Sequence, residues 1–179
     1  MLKIVIPGRE MFNEKTQEFF TTKEHTIQLE HSLVSLSKWE SKWNEPFMSK
    51  KDKTFEQTID YIKCMTITQN IDDDVYNALT TENIQTINEY IAKPMTATTF
   101  GKSDIKKSNE TVTSELIYYW MIALNIPMEC QRWHLNRLLT LIRVCNIKQN
   151  PPKKMSKREL MSRNAALNAA RRSQLHTSG

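Results

Sequence analysis

Cys130 and His134 stand four residues apart in NIPMECQRWHLNRLLTLIRVCNIK, residues 125–148, and Cys145 follows in the same apolar pattern. On one helical face a cysteine and a histidine at that spacing point the same way, and with Cys145 or His31 they could hold zinc. The motif is incomplete, because a structural zinc site takes four ligands and no CxxC pair or acidic partner accompanies these two. Buried thiols and a histidine hydrogen-bonded to backbone are the plainer reading. Asp72, Asp73 and Asp74 form a second cluster, which precedes an apolar helical pattern and fits charge at a helix N-terminus better than a magnesium site. Glu10, Glu14, His25 and His31 are scattered without a motif, and no nucleophile with base and orienting acid is legible. The sequence therefore predicts no catalytic residue, no cofactor, no metal and no turnover.

The same stretch invites a nucleic-acid reading. MIALNIPMECQRWHLNRLL, within segment 114–145, has the look of helix, turn and second helix, with Arg132 and Arg137 able to reach phosphates or base edges. Tyr118, Tyr119, Trp120 and Met121 are bulky for a tight corner, however, and Leu135, Leu138, Leu139, Ile142 and Cys145 form a broad stripe on the second helix. Burying one leucine contributes roughly 1.5–3 kcal/mol. That stripe predicts a core helix, with Trp133 and Arg137 left to meet solvent or a partner.

The surrounding elements must position these residues. In the first thirty residues LKIVI, TQEFFTT and HTIQLE read as a ribbon of two to four strands, closed early by Pro7-Gly8. After Glu30 the apolar period lengthens to that of a helix. Leu29, Leu33, Leu36 and Trp43 mark one helix stopped by Pro46; Phe55, Ile59, Ile62 and Met65 mark another; Ile84, Ile87 and Ile91 mark a third stopped by Pro94. NIDDDVYNAL adds a short helix. Residues 96–113 read as an exposed, mobile loop, and two strong helices follow, the second running from about Pro127 to Ile147 as the central helix with Leu138 and Leu139 in its core face. The expected fold is mainly α: a ribbon over 1–30 packed on the body, a single helical domain over 31–147, and a basic, partly helical tail over 148–179.

Charge is unevenly placed. From Asn146 onward Lys148, Lys153, Lys154, Lys157, Arg158, Arg163, Arg171 and Arg172 face only Glu159, so of the net +5 the tail holds +7 and the rest −2. Such a tail attracts phosphates without sequence preference, yet it lacks aromatic residues to stack bases, so an acidic or helical protein partner fits at least as well. Its alanines and the loose spacing of Leu160, Ala166 or Leu167, and Ala170 suggest an amphipathic helix. Three glycines speak against a phosphate cradle, three cysteines without a pairing pattern against a disulfide framework, and the longest apolar run, Ile117 to Leu124, against a membrane span. A reducing cytoplasm is the expected setting.

Several longer stretches carry a resemblance. LEHSLVSLSKWESKW, DYIKCMTITQN, INEYIAKPMTAT, ELIYYWMIALNIPMECQRWHLNRLLTLIRVCNIK and PPKKMSKRELMSRNAALNAARRSQL together resemble small proteins of the tail-morphogenesis module of long-tailed bacteriophages, most closely tail assembly chaperones. The resemblance runs through most of the chain. It implies a non-enzymatic protein in the host cytoplasm that coats and solubilises the tape-measure protein, self-associates weakly, and is displaced as tail-tube protein polymerises. A tail or neck component of the virion is the alternative it leaves open. No catalytic residue is carried over, and the contact candidates remain Trp133, Arg137, Lys153, Lys154, Lys157, Arg158, Arg163, Arg171 and Arg172.

Overall fold

The structure, a computed structural model, describes residues 1–13, 17–49, 52–100, 110–149 and 156–175. Packing divides the chain into two units, Met1–Cys145 and Asn146–Gly179. The first unit opens with strands β1 (Leu2–Ile6), β2 (Glu10–Asn13), β3 (Glu18–Thr21) and β4 (His25–Leu29). β1 pairs antiparallel with β4, Leu2 opposite Leu29, and β2 with β3, Glu10 opposite Thr21. Alternation in LKIVI and HTIQL decides the faces: Ile4, Ile6, Ile27 and Leu29 are buried, whereas Lys3, Val5, Thr26 and Gln28 are exposed. Between the two pairs the Thr22 N–H donates to the Arg9 carbonyl at 2.8 Å, and the Arg9 N–H to Thr22 Oγ1 at 2.9 Å. Glycine is needed beside this join, since a Cβ on Gly8 would stand 2.5 Å from the Thr22 carbonyl oxygen.

Helices make up most of the rest: α1 (Leu33–Trp43), α2 (Phe55–Met65), α3 (Asp73–Asn77), α4 (Thr81–Ala92), α5 (Ser114–Ala123), a 3-10 helix (Met128–Arg132) and α6 (Leu135–Gln149). α1, α2 and α4 begin alike. The hydroxyls of Ser32, Thr54 and Thr80 accept the N–H of Ser35, Gln57 and Asn83, whose side chains accept the cap N–H in return. α1 stops where Asn44 turns left-handed at φ 52°, two residues before Pro46.

α1 also partitions the core. Its Trp39 packs with Ile4, Ile27 and Leu29 of the ribbon, Ile62 and Met65 of α2, Tyr76 of α3 and Ile87 of α4. Leu33 and Leu36 instead pack with Ile117 and Met121 of α5, Ile126, and Leu135, Leu138 and Ile142 of α6. The Trp39 indole N–H reaches the Gln57 carbonyl at 2.9 Å, so even this fully enclosed ring keeps its donor satisfied.

Four expectations need correction. Leu29 ends β4 rather than opening a helix, because Ser32 caps α1 three residues later. Phe55 is 72% exposed, and Tyr61 takes its place in the core of α2. Leu139 and Cys145 are only partly buried beside Leu135, Leu138 and Ile142. The helix expected from Pro127 to Ile147 is two pieces, since the 3-10 helix ends at Arg132 and α6 starts at Leu135. The loop expected over 96–113 falls largely on 101–109, outside the described residues.

The second unit holds the last turn of α6 and the 19-residue helix α7 (Lys157–Leu175). Every described side chain of α7 is exposed. At 3.6 residues per turn its four large apolar residues, Leu160, Met161, Leu167 and Leu175, fall within about 120° of arc, with Asn164, Asn168 and Arg171 among them. The alanines Ala166 and Ala170 fall outside that arc, so Leu160 shares its face with Leu167 and not with them.

Candidate functional site

Between β4 and α1 the backbone is used on two sides. The Glu30 N–H donates to Met65 O at 2.9 Å, the Ile67 N–H to Gln28 O at 2.8 Å, and the Leu135 N–H to His31 O at 2.7 Å. Ser32 and His134 form an isolated antiparallel bridge. These bonds bring the entry of α6 against the entry of α1, and they set His31 beside His134 with ring centroids 5.1 Å apart.

A buried polar network grows from that pair. His31 Nδ1 lies 2.6 Å from the Tyr61 hydroxyl. His134 Nδ1 accepts the Asn136 N–H at 3.3 Å, while its Nε2 lies 3.1 Å from the Tyr90 carbonyl, which assigns the Nε2–H tautomer. The Tyr90 ring stands 5.0 Å from that of His134, edge to face. Its hydroxyl donates to Glu30 at 2.7 Å, and the other Glu30 oxygen is 2.9 Å from the Met1 ammonium. Burial, with His134 adding to it, drives the His31 pKa down to about 3. Burial also lowers His134, against the opposing pull of the Tyr90 carbonyl and Glu30. Tyr61 and Tyr90 are pushed well above the ordinary phenol range, chiefly by burial. At neutral pH the network is thus two neutral imidazoles and two protonated phenols, with His134 spent on backbone at both nitrogens. Chemically it is a fixed joint between the two cores.

Cavities among the described residues of the first unit include two of moderate size. One of about 340 Å³ is lined by Glu30, Ser35, Lys38, Cys64, Ile67 and Arg132 among others. The second, about 470 Å³, is lined by Glu40, Asn44, Glu45, Thr113 and Glu115 among others. Glu40 looks like a base and is not free to be one. One of its oxygens accepts the Phe47 N–H at 2.9 Å and the other accepts the Ser114 N–H at 2.7 Å, so this buried carboxylate clasps the α1–α2 connection and the start of α5.

The residues singled out in the sequence are distributed as follows. Cys130 lies in the 3-10 helix and His134 beyond its end, so they do not share a helical face, and burial pushes the Cys130 thiol up. Among the described residues no three His, Cys, Asp or Glu side chains gather as a metal-holding group. Asp73 and Asp74 occupy the first turn of α3, where a hydrogen bond and ion pair with Lys63 at 2.8 Å lower the Asp73 pKa. Residues 124–134, with the 3-10 helix in them, separate α5 from α6, in place of the three- or four-residue turn of a helix-turn-helix. Trp133 is half-buried and Arg137 exposed, and the Arg137 guanidinium lies 4.0 Å over the Trp133 ring. Lys157, Arg158, Arg163, Arg171 and Arg172 are all exposed on α7, while Lys153 and Lys154 lie outside the described residues. No helix among the described residues is long and apolar enough to cross a membrane.

Sequence reasoning missed Glu30, Glu40, Tyr61 and Tyr90. The available signal was the polar interruption of an apolar stripe, such as Gln57 and Asp60 around Ile59, which marks where a helix meets polar partners. No family model, no curated protein and no solved structure matches this chain.

Proposed function

We propose that this chain is a non-enzymatic tail assembly chaperone of a long-tailed bacteriophage, acting in the host cytoplasm by holding the tape-measure protein soluble until tail-tube protein replaces it. The observation that carries the reading is α7: a 19-residue helix with every described side chain exposed. In proteins most helical stability comes from tertiary packing rather than from propensity. A partner that supplies that packing completes it. The stacked Trp133 and Arg137 pair offers a second contact, a flat preorganised surface suited to an amphipathic helix. The resemblance across most of the sequence supports the same reading, and the buried network, whose groups are used internally, suits a holding protein.

Co-expression with the tape-measure protein is the test. The chaperone reading expects the partner to move into the soluble fraction with many copies of this chain bound, and expects the effect to fade when residues after Pro152 are removed. A partner equally soluble with and without this chain would end the reading. The lysines and arginines of the tail favour nucleic acid as the rival, and that rival expects binding that falls steeply with salt. Recovery of the chain in purified virions would favour a tail or neck component instead.

A further inference from the structure

The cavity of about 340 Å³ in the first unit has side-chain oxygens that are already committed. Ser32 and Ser35 cap α1 through each other, and Thr66 donates to the Ile62 carbonyl at 2.9 Å while accepting the Tyr76 hydroxyl at 2.9 Å. Glu30 is spent on the Tyr90 hydroxyl and the Met1 ammonium. Two cations remain. Lys38 lines the cavity from α1 and Arg132 from the 3-10 helix, both exposed, and among the described residues neither is in an ion pair. One turn further along α1, by contrast, Lys42 is paired with Asp60. Burial pushes the Cys64 thiol up, Asp60 adds to this, and Lys38 pulls against both, which sets the Lys38 ammonium within electrostatic reach of the cavity's thiol wall. Val34 belongs to the first turn of α1, so its N–H has no acceptor within the helix and adds to the positive end of the helix dipole. The other walls are Val34, Met65 and Ile67. The space therefore has apolar walls under a positive rim, at the small end of the sizes that ligand pockets take.

We infer that this cavity binds a small organic anion, a carboxylate or a phosphate monoester on a short apolar body. Lys38 and Arg132 take the charged head, the ammonium as a point charge and the guanidinium as a planar fork of donors. Val34, Met65 and Ile67 take the body. A neutral molecule of the same shape leaves both cations as they were and gains only the apolar contact. The inference goes beyond the tape-measure reading and stands without it, because the ligand is a small molecule and the test needs no partner protein.

Amide chemical shifts of the purified full chain, titrated with butyrate and with butyl phosphate at constant ionic strength, test it. The expected result is a saturable shift at Val34, Lys38, Cys64, Ile67 and Arg132, with butanol at equal concentration leaving those amides in place. The tighter of the two anions names the head group. Lys38→Gln and Arg132→Gln, both at exposed positions, should each weaken binding about tenfold or more, the loss of one hydrogen bond to a charged group, with unchanged circular dichroism. Inorganic phosphate is the sharper arm. It carries the charge without the body, so it should bind more weakly than butyl phosphate. Shifts that never saturate, that butanol reproduces, that gather on α7 instead, or that survive both substitutions would each overturn the inference, as would inorganic phosphate binding as tightly as butyl phosphate.

Discussion

The imidazole of His31 stands edge-on to that of His134, 5.1 Å between centroids, and each ring is 4% exposed or less. The two cores of the first unit meet at this pair, which gives the joint a protonation state to defend. In the unfolded chain both rings titrate near 6.5, whereas folded His31 titrates near 3. Between those values the unfolded state binds more protons, so stability rises with pH, is complete above about 6.5, and drains as pH falls. His31 alone should cost about 1.4 kcal/mol per pH unit in that window. Urea midpoints at pH 7.5, 6 and 5 check this. A midpoint indifferent to pH over that range would refute it, and His31→Phe should flatten the slope.

Glu40 is predicted to matter for stability more than any other carboxylate in the first unit. Replacing it with alanine leaves the Phe47 and Ser114 N–H groups without their acceptor, and a buried unsatisfied donor costs about 1–3 kcal/mol. Glu40→Ala should therefore lower stability by roughly 3 kcal/mol, and Glu40→Gln, which keeps one acceptor, by clearly less. Thermal melts of the two variants decide between this and a merely acidic surface.

Leu138 and Leu139 are neighbours with different fates. Leu138 is fully enclosed and Leu139 only partly so. Leu138→Ala should cost about 2–5 kcal/mol as a large-to-small core change, and Leu139→Ala well under that. Equal losses in denaturant unfolding would mean that the burial pattern of α6 is wrong.

Gly8→Ala should destabilise the ribbon although Gly8 is exposed. The added methyl must push against the Thr22 carbonyl oxygen 2.5 Å away, and that oxygen is backbone. The expected readout is faster amide exchange at Arg9 and Thr22 with the α1 amides unaffected. Uniform exchange rates in mutant and wild type would contradict it.

Local physics made much of the fold legible. Alternation in LKIVI and HTIQL needs only neighbouring residues to be read, and Pro46 and Pro94 act on their own turns. Leu29 was misassigned because its spacing to Leu33 and Leu36 mimics a helical stripe while Ser32, between them, caps the helix through Ser35, a partner less telling than the usual glutamate or glutamine. The break at Trp133 had no local sign, since the Leu135 N–H is taken by the His31 carbonyl from far along the chain. The same holds for the buried network. His31, Tyr61, Tyr90 and His134 come from four separate segments, and no spacing in the sequence relates them. Trp133 and Arg137 were expected to meet solvent or a partner, and the structure instead stacks the guanidinium on the indole at the joint ahead of α6.

The bond from Leu135 to the His31 carbonyl also sets a timetable. A ribosome adding about 5–20 residues per second completes the ribbon and α1 roughly 5–20 seconds before Leu135 is made. Throughout that interval Leu33 and Leu36 lack α6 as a wall. Nascent chains therefore carry a bare aliphatic strip, and messages cut short ahead of Leu135 yield products that clump rather than simply lacking a helix. The soluble fraction of residues 1–134 against 1–149 after translation would measure how long the last wall is missed.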